Sequence, residues 1–403
     1  MTEKETSLFV MVGDPSADKH ASKLLAKLKE VRPDIKVWGI GGSLMAKEGA
    51  ELMYNCQDFS ALGLEQIIGK LSFFKRMGKE TLEAIKRRAP SMVLLIDFGG
   101  YNLRLAEALR KQEPDLPIYY FISPQVWASR PWRKKTIAKN ITKMLCIFPF
   151  EEGVYKEANV PVSFVGHPVT RNIPPMDQLE SRTELCKRYG MDETRPVIGI
   201  FPGSRNQEMN DMLPPALEAV KWLLKDRPEL QFIIALASDR ISTRANQLIE
   251  KHQVKSLLGK SLFISNPGIN YPVMKACDLI WAKAGTTTLE VTIFAKPMVA
   301  FYRAGWLSYL IFCVFKQLKR VAWPNLLSDS DLVPELMQLD CRADQLVRYT
   351  SDLLDCPALR QEVTETLLTL RQQLGERDYA ENCVYEIVKA ISENKEPKLT
   401  QVT

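Results

Sequence analysis

The sequence predicts an α/β protein built from two Rossmann-like domains that face each other across a cleft. In each half of the chain, short apolar runs alternate with segments of helical periodicity, which indicates right-handed βαβ units and a parallel sheet. A length of 403 residues also favours two domains. A charged, proline-bearing stretch over 171–196 predicts the join between them. We therefore predict an N-terminal domain over residues 1–175 and a C-terminal domain over 190–375, with a C-terminal helix, about 376–403, that packs back on the first domain.

Composition and charge are typical of a soluble globular protein, with 46% hydrophobic and 25% charged residues. The net charge of +6 is compatible with an anionic ligand or a membrane surface and requires neither. The eight cysteines form no C-x-x-C pair, so we expect reduced thiols and neither a disulfide framework nor a zinc site. The polar N-terminus is unlike a signal peptide, and no apolar run is long enough to span a bilayer, so we expect a cytoplasmic protein.

Six strands are predicted in the first half of the chain, and the loops that follow them hold the polar candidates. The strands are Leu8–Val12, Lys36–Ile40, Met92–Ile96, Ile118–Ile122, Lys143–Ile147 and Val162–Val165. The first loop runs over Gly13–Asp18 and leads into a helix that we expect from about Asp18 to Val31. A glycine cluster, Gly39–Gly42, lacks the full spacing of a dinucleotide loop and predicts a tight turn instead.

Asp97 follows Met92–Ile96, a purely apolar strand of the kind that a parallel sheet covers on both faces. Ligands of open α/β sheets bind outside the carboxyl ends of the strands, and Gly99 and Gly100 leave room for a substrate there. Asp97 is therefore a candidate general base. The residues alone leave open a second interpretation, in which Asp97 caps a helix that starts near Tyr101.

Two further features of the first half allow a functional or a structural interpretation. The aromatic and basic run Arg130–Lys135 could bind phosphate, although such a run is more often the solvated start of a helix. His167 could act as an acid or a base, although a single histidine in a loop is usually structural.

Two loops of the second half predict an anion site. Predicted strands are Val197–Phe201, Phe232–Ala235, Leu262–Ile264, Leu279–Trp281 and Met298–Ala300. The first loop lies between the strand Val197–Phe201 and a helical segment that starts near 211, and it contains Gly203, Ser204 and Arg205. It offers free backbone N–H groups, a hydroxyl, and a guanidinium that binds phosphate bidentately. The second loop supplies Gly285 and the hydroxyls of its threonines.

Taken alone, the first of these loops also fits an ordinary turn with a capping serine and a solvated arginine. Two such loops in one Rossmann-like domain suit a nucleoside diphosphate. Neither has the spacing of a P-loop ATPase, G-x-x-x-x-G-K-[ST], which argues against that class.

Two apolar segments that end in cations could dip into a membrane interface or form core helices. One is 306–315, followed by Lys316, Lys319 and Arg320, and the other is 67–74, followed by Lys75 and Arg76. The candidate membrane residues are Ile67, Phe73, Phe74, Leu310 and Phe312.

Read in order, the motifs resemble those of the lipid-A-disaccharide synthase family, membrane-associated glycosyltransferases of the GT-B architecture, over nearly the whole chain. The matching pieces are Gly39–Met45, Ile96-Asp97 with Tyr101-Asn102, Ser123–Ala128, Phe148–Glu151, Val165–Pro168, Pro202–Arg205 with Glu208, Gly285-Thr286 with Leu289-Glu290, and Pro324–Leu327 with Leu332-Val333 and Glu335. Each piece is a weak signal, whereas their joint order and spacing are highly specific.

The resemblance implies an inverting transfer of diacylglucosamine from UDP-2,3-diacylglucosamine to the 6-hydroxyl of 2,3-diacylglucosamine 1-phosphate. It implies that Asp97 is the base and that Arg205 stabilises the leaving diphosphate. Around the nucleotide it suggests Gly203, Ser204, Arg205, Gly285, Thr286, Thr287, Glu290, Asn325 and Glu335, and around the acceptor Asp14, Ser16, Asp18 and Asn102. It also implies contact with the inner face of the plasma membrane, no nucleic acid, and neither a cofactor nor a metal. The sequence leaves open whether the protein forms a homodimer.

Two departures from the family pattern concern the acceptor side. The family's first loop usually reads Gly-Glu-x-Ser-Gly-Asp, where this chain has Asp14 and Ala17, and the family often has a second aspartate where this chain has Gly100. The alternatives are another UDP-sugar enzyme of this architecture, such as a hexosamine 2-epimerase or a divergent glycosyltransferase, and a membrane adaptor without turnover.

Overall fold

The computed structural model describes residues 5–60, 67–303, 320–375 and 378–393. The chain divides into two compact units, Met1–Pro168 together with Glu376–Thr403, and Val169–Gly375. Each unit is built on a parallel sheet covered by helices.

The sheet of the first unit has seven strands within the described residues, in the order β3-β2-β1-β4-β5-β6-β7, and all pairs are parallel. The strands are β1 (Ser7–Val12), β2 (Lys36–Gly41), β3 (Glu51–Asn55), β4 (Met92–Ile96), β5 (Ile118–Phe121), β6 (Lys143–Cys146) and β7 (Val162–Phe164). The helices are α1 (Pro15–Val31), α2 (Ser43–Lys47), α3 (Cys56–Ser60), α4 (Ile67–Arg88), α5 (Gly99–Gln112), α6 (Arg133–Asn140) and α7 (Glu151–Lys156).

The central strands β1 and β4 are buried along their whole length because helices cover both faces of the sheet. Alternate residues of β1 enter different cores: Leu8 and Val10 join one apolar cluster, while Phe9 and Met11 join the other. This is the period-two alternation of a strand with two buried faces. It explains why both strands are continuous apolar runs and could be located from the sequence.

The second unit has a parallel sheet of six strands within the described residues, in the order β10-β9-β8-β11-β12-β13. The strands are β8 (Val197–Phe201), β9 (Gln231–Ile234), β10 (Leu262–Ile264), β11 (Leu279–Lys283), β12 (Met298–Tyr302) and β13 (Glu335–Met337). The helices from the boundary onward are α8 (Pro168–Asn172), α9 (Arg182–Tyr189), α10 (Asn206–Asp226), α11 (Asp239–Lys251), α12 (Asn270–Ala276), α13 (Thr286–Ile293), α14 (Trp323–Ser328), α15 (Ala343–Asp355) and α16 (Pro357–Leu374).

The last helix, α17 (Tyr379–Glu393), belongs to the first unit. The ring of Tyr379 stacks on Phe121, with centroids 5.7 Å apart. Glu386 accepts hydrogen bonds from Lys143 at 2.8 Å and from Ser163 at 2.7 Å. Apolar side chains of α17 complete the same core that α1 covers.

The structure adds two strands that the sequence analysis did not predict, β3 and β13. Both are short edge strands with a polar first residue, Glu51 and Glu335, so neither shows a clear apolar run. It also moves the start of α10 from near 211 back to Asn206. No helix in the described part of the chain is both long and apolar enough to cross a membrane.

Candidate active site

The turn after β4 has an unusual backbone at the carboxyl edge of the first sheet. Asp97 and Phe98 are consecutive residues with positive φ, 48° and 50°, a conformation that residues with a side chain rarely adopt and that clusters at functional sites. Asn102 holds this turn, since its side-chain amide donates to the carbonyl oxygens of Ile96 (3.2 Å) and Asp97 (2.8 Å). The hydroxyl of Tyr120 donates to the same Asp97 carbonyl.

The Asp97 carboxyl group is left available for chemistry. The N-cap residue of α5 is Phe98 and no side chain caps this helix, so the capping interpretation of Asp97 is wrong. Asp97 is exposed, yet the surrounding protein partly desolvates its carboxyl group, and this desolvation raises its pKa. The negative charge of Asp14 raises the pKa further, against the opposing effect of the Phe98 N–H. Asp97 is therefore a stronger base than an ordinary aspartate.

The acceptor candidates of the first loop divide into two groups. Asp14 is the N-cap of α1 and accepts from the N–H of the exposed Ser16 at 2.8 Å. Asp18 is buried, with 2% of its surface exposed, and accepts from the N–H groups of Gly42 (2.8 Å), Leu44 (3.1 Å) and Met45 (3.2 Å). The predicted role of Asp18 in acceptor binding is therefore corrected, because its carboxylate already joins α1 to the glycine cluster.

Asn102 needs a similar correction. It is fully buried, and its amide group fixes the Asp97 turn instead of reaching a substrate. A Cβ atom on Gly13 would lie 2.1 Å from the Phe98 ring, so the glycine of the first loop is required by the close approach of that ring. Together these contacts make Asn102 and Gly13 supports of the Asp97 turn.

Glu151 is a site residue whose role the sequence analysis missed. It is 1% exposed, and its carboxylate accepts from Ser123 Oγ (2.5 Å), Trp127 Nε1 (3.0 Å) and the N–H groups of Ile147 and Phe148 (both 3.2 Å). Burial raises the pKa of Glu151, and these hydrogen bonds oppose that effect. The pieces Ser123–Ala128 and Phe148–Glu151 are thus one hydrogen-bonded unit that fixes the loop after β5.

His167 fits its structural interpretation. Burial, and then the charge of His20, lower its pKa to about 3, so the imidazole is neutral near pH 7. Its ring lies against Phe148, with centroids 4.7 Å apart. A neutral, packed ring of this kind does not supply a proton at neutral pH.

In the second unit, the loop after β8 is closed by a carboxylate. Glu208 Oε2 accepts from the N–H groups of Ser204 (2.8 Å) and Arg205 (3.2 Å). Gly203 has a φ of 116°, and a Cβ atom there would lie 2.3 Å from Glu208 Oε2. The prediction that this loop offers free N–H groups is therefore wrong, because the helix that starts at Asn206 places Glu208 in its first turn.

Lys283 is a second residue that the sequence analysis missed. It ends β11, and its Nζ lies 2.9 Å from Glu208 Oε1 and 5.4 Å from the centroid of the Tyr302 ring. Burial raises the pKa of Glu208, but the hydrogen bond from Lys283 and those from the backbone outweigh it and hold the pKa low. Arg205 Nη1 lies 3.5 Å from Glu208 Oε1. Because the side chain of Arg205 is 81% exposed, the rest of its guanidinium is available to a ligand.

The loop after β11 presents the open end of a helix. Gly285 has a φ of 134°, and Thr288 closes the turn by donating to the Gly285 carbonyl at 2.8 Å. Thr286 is exposed and Thr287 half-buried in the first turn of α13. Glu290 is half-buried and accepts from the hydroxyl of Tyr271 at 3.1 Å, and burial raises its pKa.

Asn325 and Glu335 bind each other and the loop between them. Asn325 is 1% exposed; its amide donates to the Val333 carbonyl (2.8 Å) and to Glu335 Oε1 (2.9 Å). Glu335 also accepts hydrogen bonds from the N–H groups of Val321 and Ala322, each at 2.9 Å. These hydrogen bonds occupy both side chains inside the unit, so they shape the 321–335 loop.

The membrane candidates are only partly described. Phe73 and Phe74 are half-buried in α4, where Phe73 packs edge-on against Tyr54 (5.8 Å) and Phe74 lies 5.7 Å from the Tyr101 ring. Lys75 and Arg76, which follow them, are exposed. The side chain of Ile67, and the residues Leu310 and Phe312, lie outside the described part of the chain.

Comparison with known proteins identifies the family. The family model described as Lipid-A-disaccharide synthetase matches residues 8–387. The chain is 33% identical to Lipid-A-disaccharide synthase 1 of Legionella pneumophila (strain Lens) over 388 residues, which is 95% of this chain and 97% of that one. It is 32% identical to Lipid-A-disaccharide synthase of Anaeromyxobacter dehalogenans (strain 2CP-C), covering 92% and 93% of the two chains.

Solved structures share the fold at much lower identity. A UDP-GlcNAc 2-epimerase from Neisseria meningitidis bound to UDP-GlcNAc superposes with a TM-score of 0.57 at 13% identity, covering 95% of this chain and 99% of that one. The calicheamicin glycosyltransferase CalG4 gives 0.57 at 12% identity, covering 98% and 100%. These neighbours confirm the predicted fold class of two Rossmann-like, parallel-sheet domains, the GT-B architecture. By sequence and by its matching motifs, the chain belongs to the lipid-A-disaccharide synthetase family.

Proposed function

We propose that this protein is an inverting glycosyltransferase that joins UDP-2,3-diacylglucosamine to 2,3-diacylglucosamine 1-phosphate. The products are the β-1,6-linked disaccharide 1-phosphate and UDP. Membership of the family, and the names of relatives that match along nearly the whole chain, support this activity. The observation that carries the mechanism is the left-handed turn that presents Asp97 with a raised pKa.

In the proposed reaction, Asp97 acts on the acceptor. The 6-hydroxyl oxygen attacks the anomeric carbon of the donor, its proton passes to the Asp97 carboxylate, and the bond to the UDP oxygen breaks with its electron pair on the diphosphate. A base is most effective when its pKa approaches the working pH, which is the direction of the Asp97 shift. The supported turn keeps the carboxylate in one place, which favours the reaction by orientation.

The charge that develops on UDP needs cations from the second unit. Arg205 is exposed and binds phosphate oxygens with a planar fork. The N-terminus of α13 and the hydroxyls of its threonines add donors. We propose that Lys283 neutralises Glu208, so that this carboxylate orders the Ser204–Arg205 backbone without repelling the diphosphate. These groups suffice to stabilise the leaving group, so the proposed reaction uses no metal and no cofactor.

We also propose attachment to the cytoplasmic face of the inner membrane, since both substrates carry acyl chains. The exposed cations after Phe74 support an orientation of this segment toward anionic lipid. The test is vesicle co-sedimentation of the wild type and of Lys75→Gln/Arg76→Gln, with vesicles of neutral or anionic lipid. The wild type should bind anionic vesicles and the variant should bind them less. Equal binding by both proteins would remove these cations from the membrane contact.

Mass spectrometry of products tests the activity itself. The full chain is incubated with UDP-diacylglucosamine and diacylglucosamine 1-phosphate, and the disaccharide 1-phosphate and UDP should form in equal amounts. A soluble UDP-hexosamine supplied alone should be recovered unchanged. Its conversion to an epimer, without any disaccharide from the lipid substrates, would favour a 2-epimerase instead, and UDP binding without turnover on either would favour an adaptor.

A further inference from the structure

Arg133 lies beside the Asp97 turn, at the carboxyl edge of the first sheet, and Arg130 and Arg104 add like charges around it. Arg133 begins α6, and its guanidinium lies over the first turn of α5. Its Nη1 is 3.5 Å from the position of a Cβ atom on Gly99, and its Nη2 is 4.0 Å from that on Gly100. Burial, and then the like charge of Arg130, lower the pKa of Arg133, and the charge of Arg104 acts in the same direction.

These cations have no anionic partner among the residues that the structure describes. In that part of the chain, no carboxylate forms a salt bridge with Arg104, Arg130 or Arg133, and the guanidinium groups of the three donate no hydrogen bond. Arg110, on the same helix as Arg104, instead donates to the Leu116 carbonyl at 3.1 Å. Arg104 and Arg130 are exposed, whereas Arg133 is half-buried. A partly desolvated cation beside like charges is unfavourable unless an anion joins it, so the surroundings of Arg133 favour an anion.

The backbone around the start of α5, where Arg133 lies, is well supported. Pro124 lies 3.3 Å from the position of a Cβ atom on Gly99, and the loop that carries Pro124 is fixed by Glu151. No side chain caps α5. The N-terminus of this 14-residue helix therefore adds its favourable potential for a negative charge to the three cations.

We propose that Arg133, together with Arg104 and Arg130, binds the phosphate group of the acceptor at the N-terminus of α5. The inference rests on the proposed function, in which Asp97 receives the acceptor hydroxyl. Arg133 lies over the first turn of α5, which begins directly after the Asp97 turn, so it suits the other polar end of the same molecule. For the diphosphate of the donor, a separate cation of the second unit, Arg205, is proposed. A phosphate monoester presents oxygens that several guanidinium groups can bind at once.

The test compares acceptors with and without the phosphate, in neutral detergent micelles that contain no other lipid phosphate. kcat/KM is measured for diacylglucosamine 1-phosphate and for diacylglucosamine, with the wild type, Arg133→Gln and Arg133→Lys. Lys139→Gln, which removes an exposed cation near the end of the same helix, is the matched control. The wild type should prefer the phosphorylated acceptor by about 10- to 100-fold, the effect of a charge-assisted hydrogen bond.

Arg133→Gln should lose most of that preference through a higher KM for the phosphorylated acceptor, with the KM for the donor unchanged. Arg133→Lys should keep part of the preference, and Lys139→Gln all of it. An undiminished preference in Arg133→Gln would overturn the inference while leaving the proposed function intact, and so would an equal rise in the donor KM. If the wild type forms no disaccharide, the proposed function fails. The phosphate site is then judged by equilibrium binding of the two micellar lipids, where equal affinities for wild type and Arg133→Gln would overturn it.

Discussion

The two sheets end in loops of opposite electrostatic character. At the carboxyl edge of the first sheet, desolvation raises the pKa of Asp97 and the charge of Asp14 raises it further, and among the described residues no ion pair involves Asp97. At the same edge of the second sheet, the carboxylate of Glu208 is bound by Lys283 and by two backbone N–H groups, so its pKa falls. In the same architecture, the carboxylate of Asp97 is thus a stronger base, whereas that of Glu208 has a structural role.

The comparison shows what separates a reactive from a structural carboxylate in this fold. Both residues follow a buried central strand, and both lie near a glycine that allows close packing, Gly13 in one unit and Gly203 in the other. What differs is the set of hydrogen-bond donors that reaches the carboxylate. A carboxylate with several donors is held as an anion, whereas one that is desolvated without a cation becomes a better base.

The largest expected effect concerns Arg205. Arg205→Ala should lower turnover by about a hundredfold or more, the usual cost of losing one contact made in the transition state. Arg205→Lys should restore only part of it, because an ammonium lacks the bidentate fork. Steady-state rates with both substrates at saturation measure this effect. Near-wild-type turnover in Arg205→Ala would remove the residue from the mechanism.

Lys283→Met tests the ion pair between Lys283 and Glu208 in the second unit. The change removes the ion pair of Lys283 with Glu208, whose side chain is 11% exposed. We expect a loss of about 1–3 kcal/mol in the free energy of unfolding, the usual range for a hydrogen bond to a charged group. Thermal and urea unfolding measure it. The double variant Lys283→Met/Glu208→Gln removes both charges and should recover part of this loss; a purely additive double variant would mean that the two residues do not interact.

Asp14→Asn tests the repulsion in the first unit through the pH dependence of the rate. Asparagine still caps α1 but removes the charge that raises the pKa of Asp97. The base works only when deprotonated, so the rate falls as the pH drops through its pKa. With a lower pKa, the acidic limb of kcat/KM should move to lower pH in Asp14→Asn. A limb that stays in place, or moves to higher pH, would show that Asp14 does not act on the base.

The smallest expected effect is that of a chelator. Arg205, Lys283 and the start of α13 are proposed to stabilise the diphosphate. Activity after dialysis against EDTA should therefore equal that of the untreated protein and should not rise with added Mg²⁺. A loss that Mg²⁺ restores would contradict the proposed role of these cations.

The sequence predicted much of the fold because its central strands are apolar along their length, as β1, β4 and β8 show. It located Asp97 and Arg205 because both follow such strands. It did not separate Asp18 and Asn102 from substrate-binding residues, since a polar residue in a loop shows neither its burial nor its hydrogen-bond donors. Glu151 and Lys283 were missed for the same reason, although a lysine at the end of an apolar strand, directly before a glycine loop, is a usable signal.

Asp97→Asn in the disaccharide assay tests the central claim most directly. The substitution nearly preserves the shape of the side chain and removes the base, while the turn keeps the supports that bind its backbone. We expect disaccharide formation to fall by about 100-fold or more, as for loss of a general base, with UDP affinity in equilibrium dialysis unchanged. A variant that keeps a substantial fraction of the wild-type rate would contradict the account and place the base elsewhere.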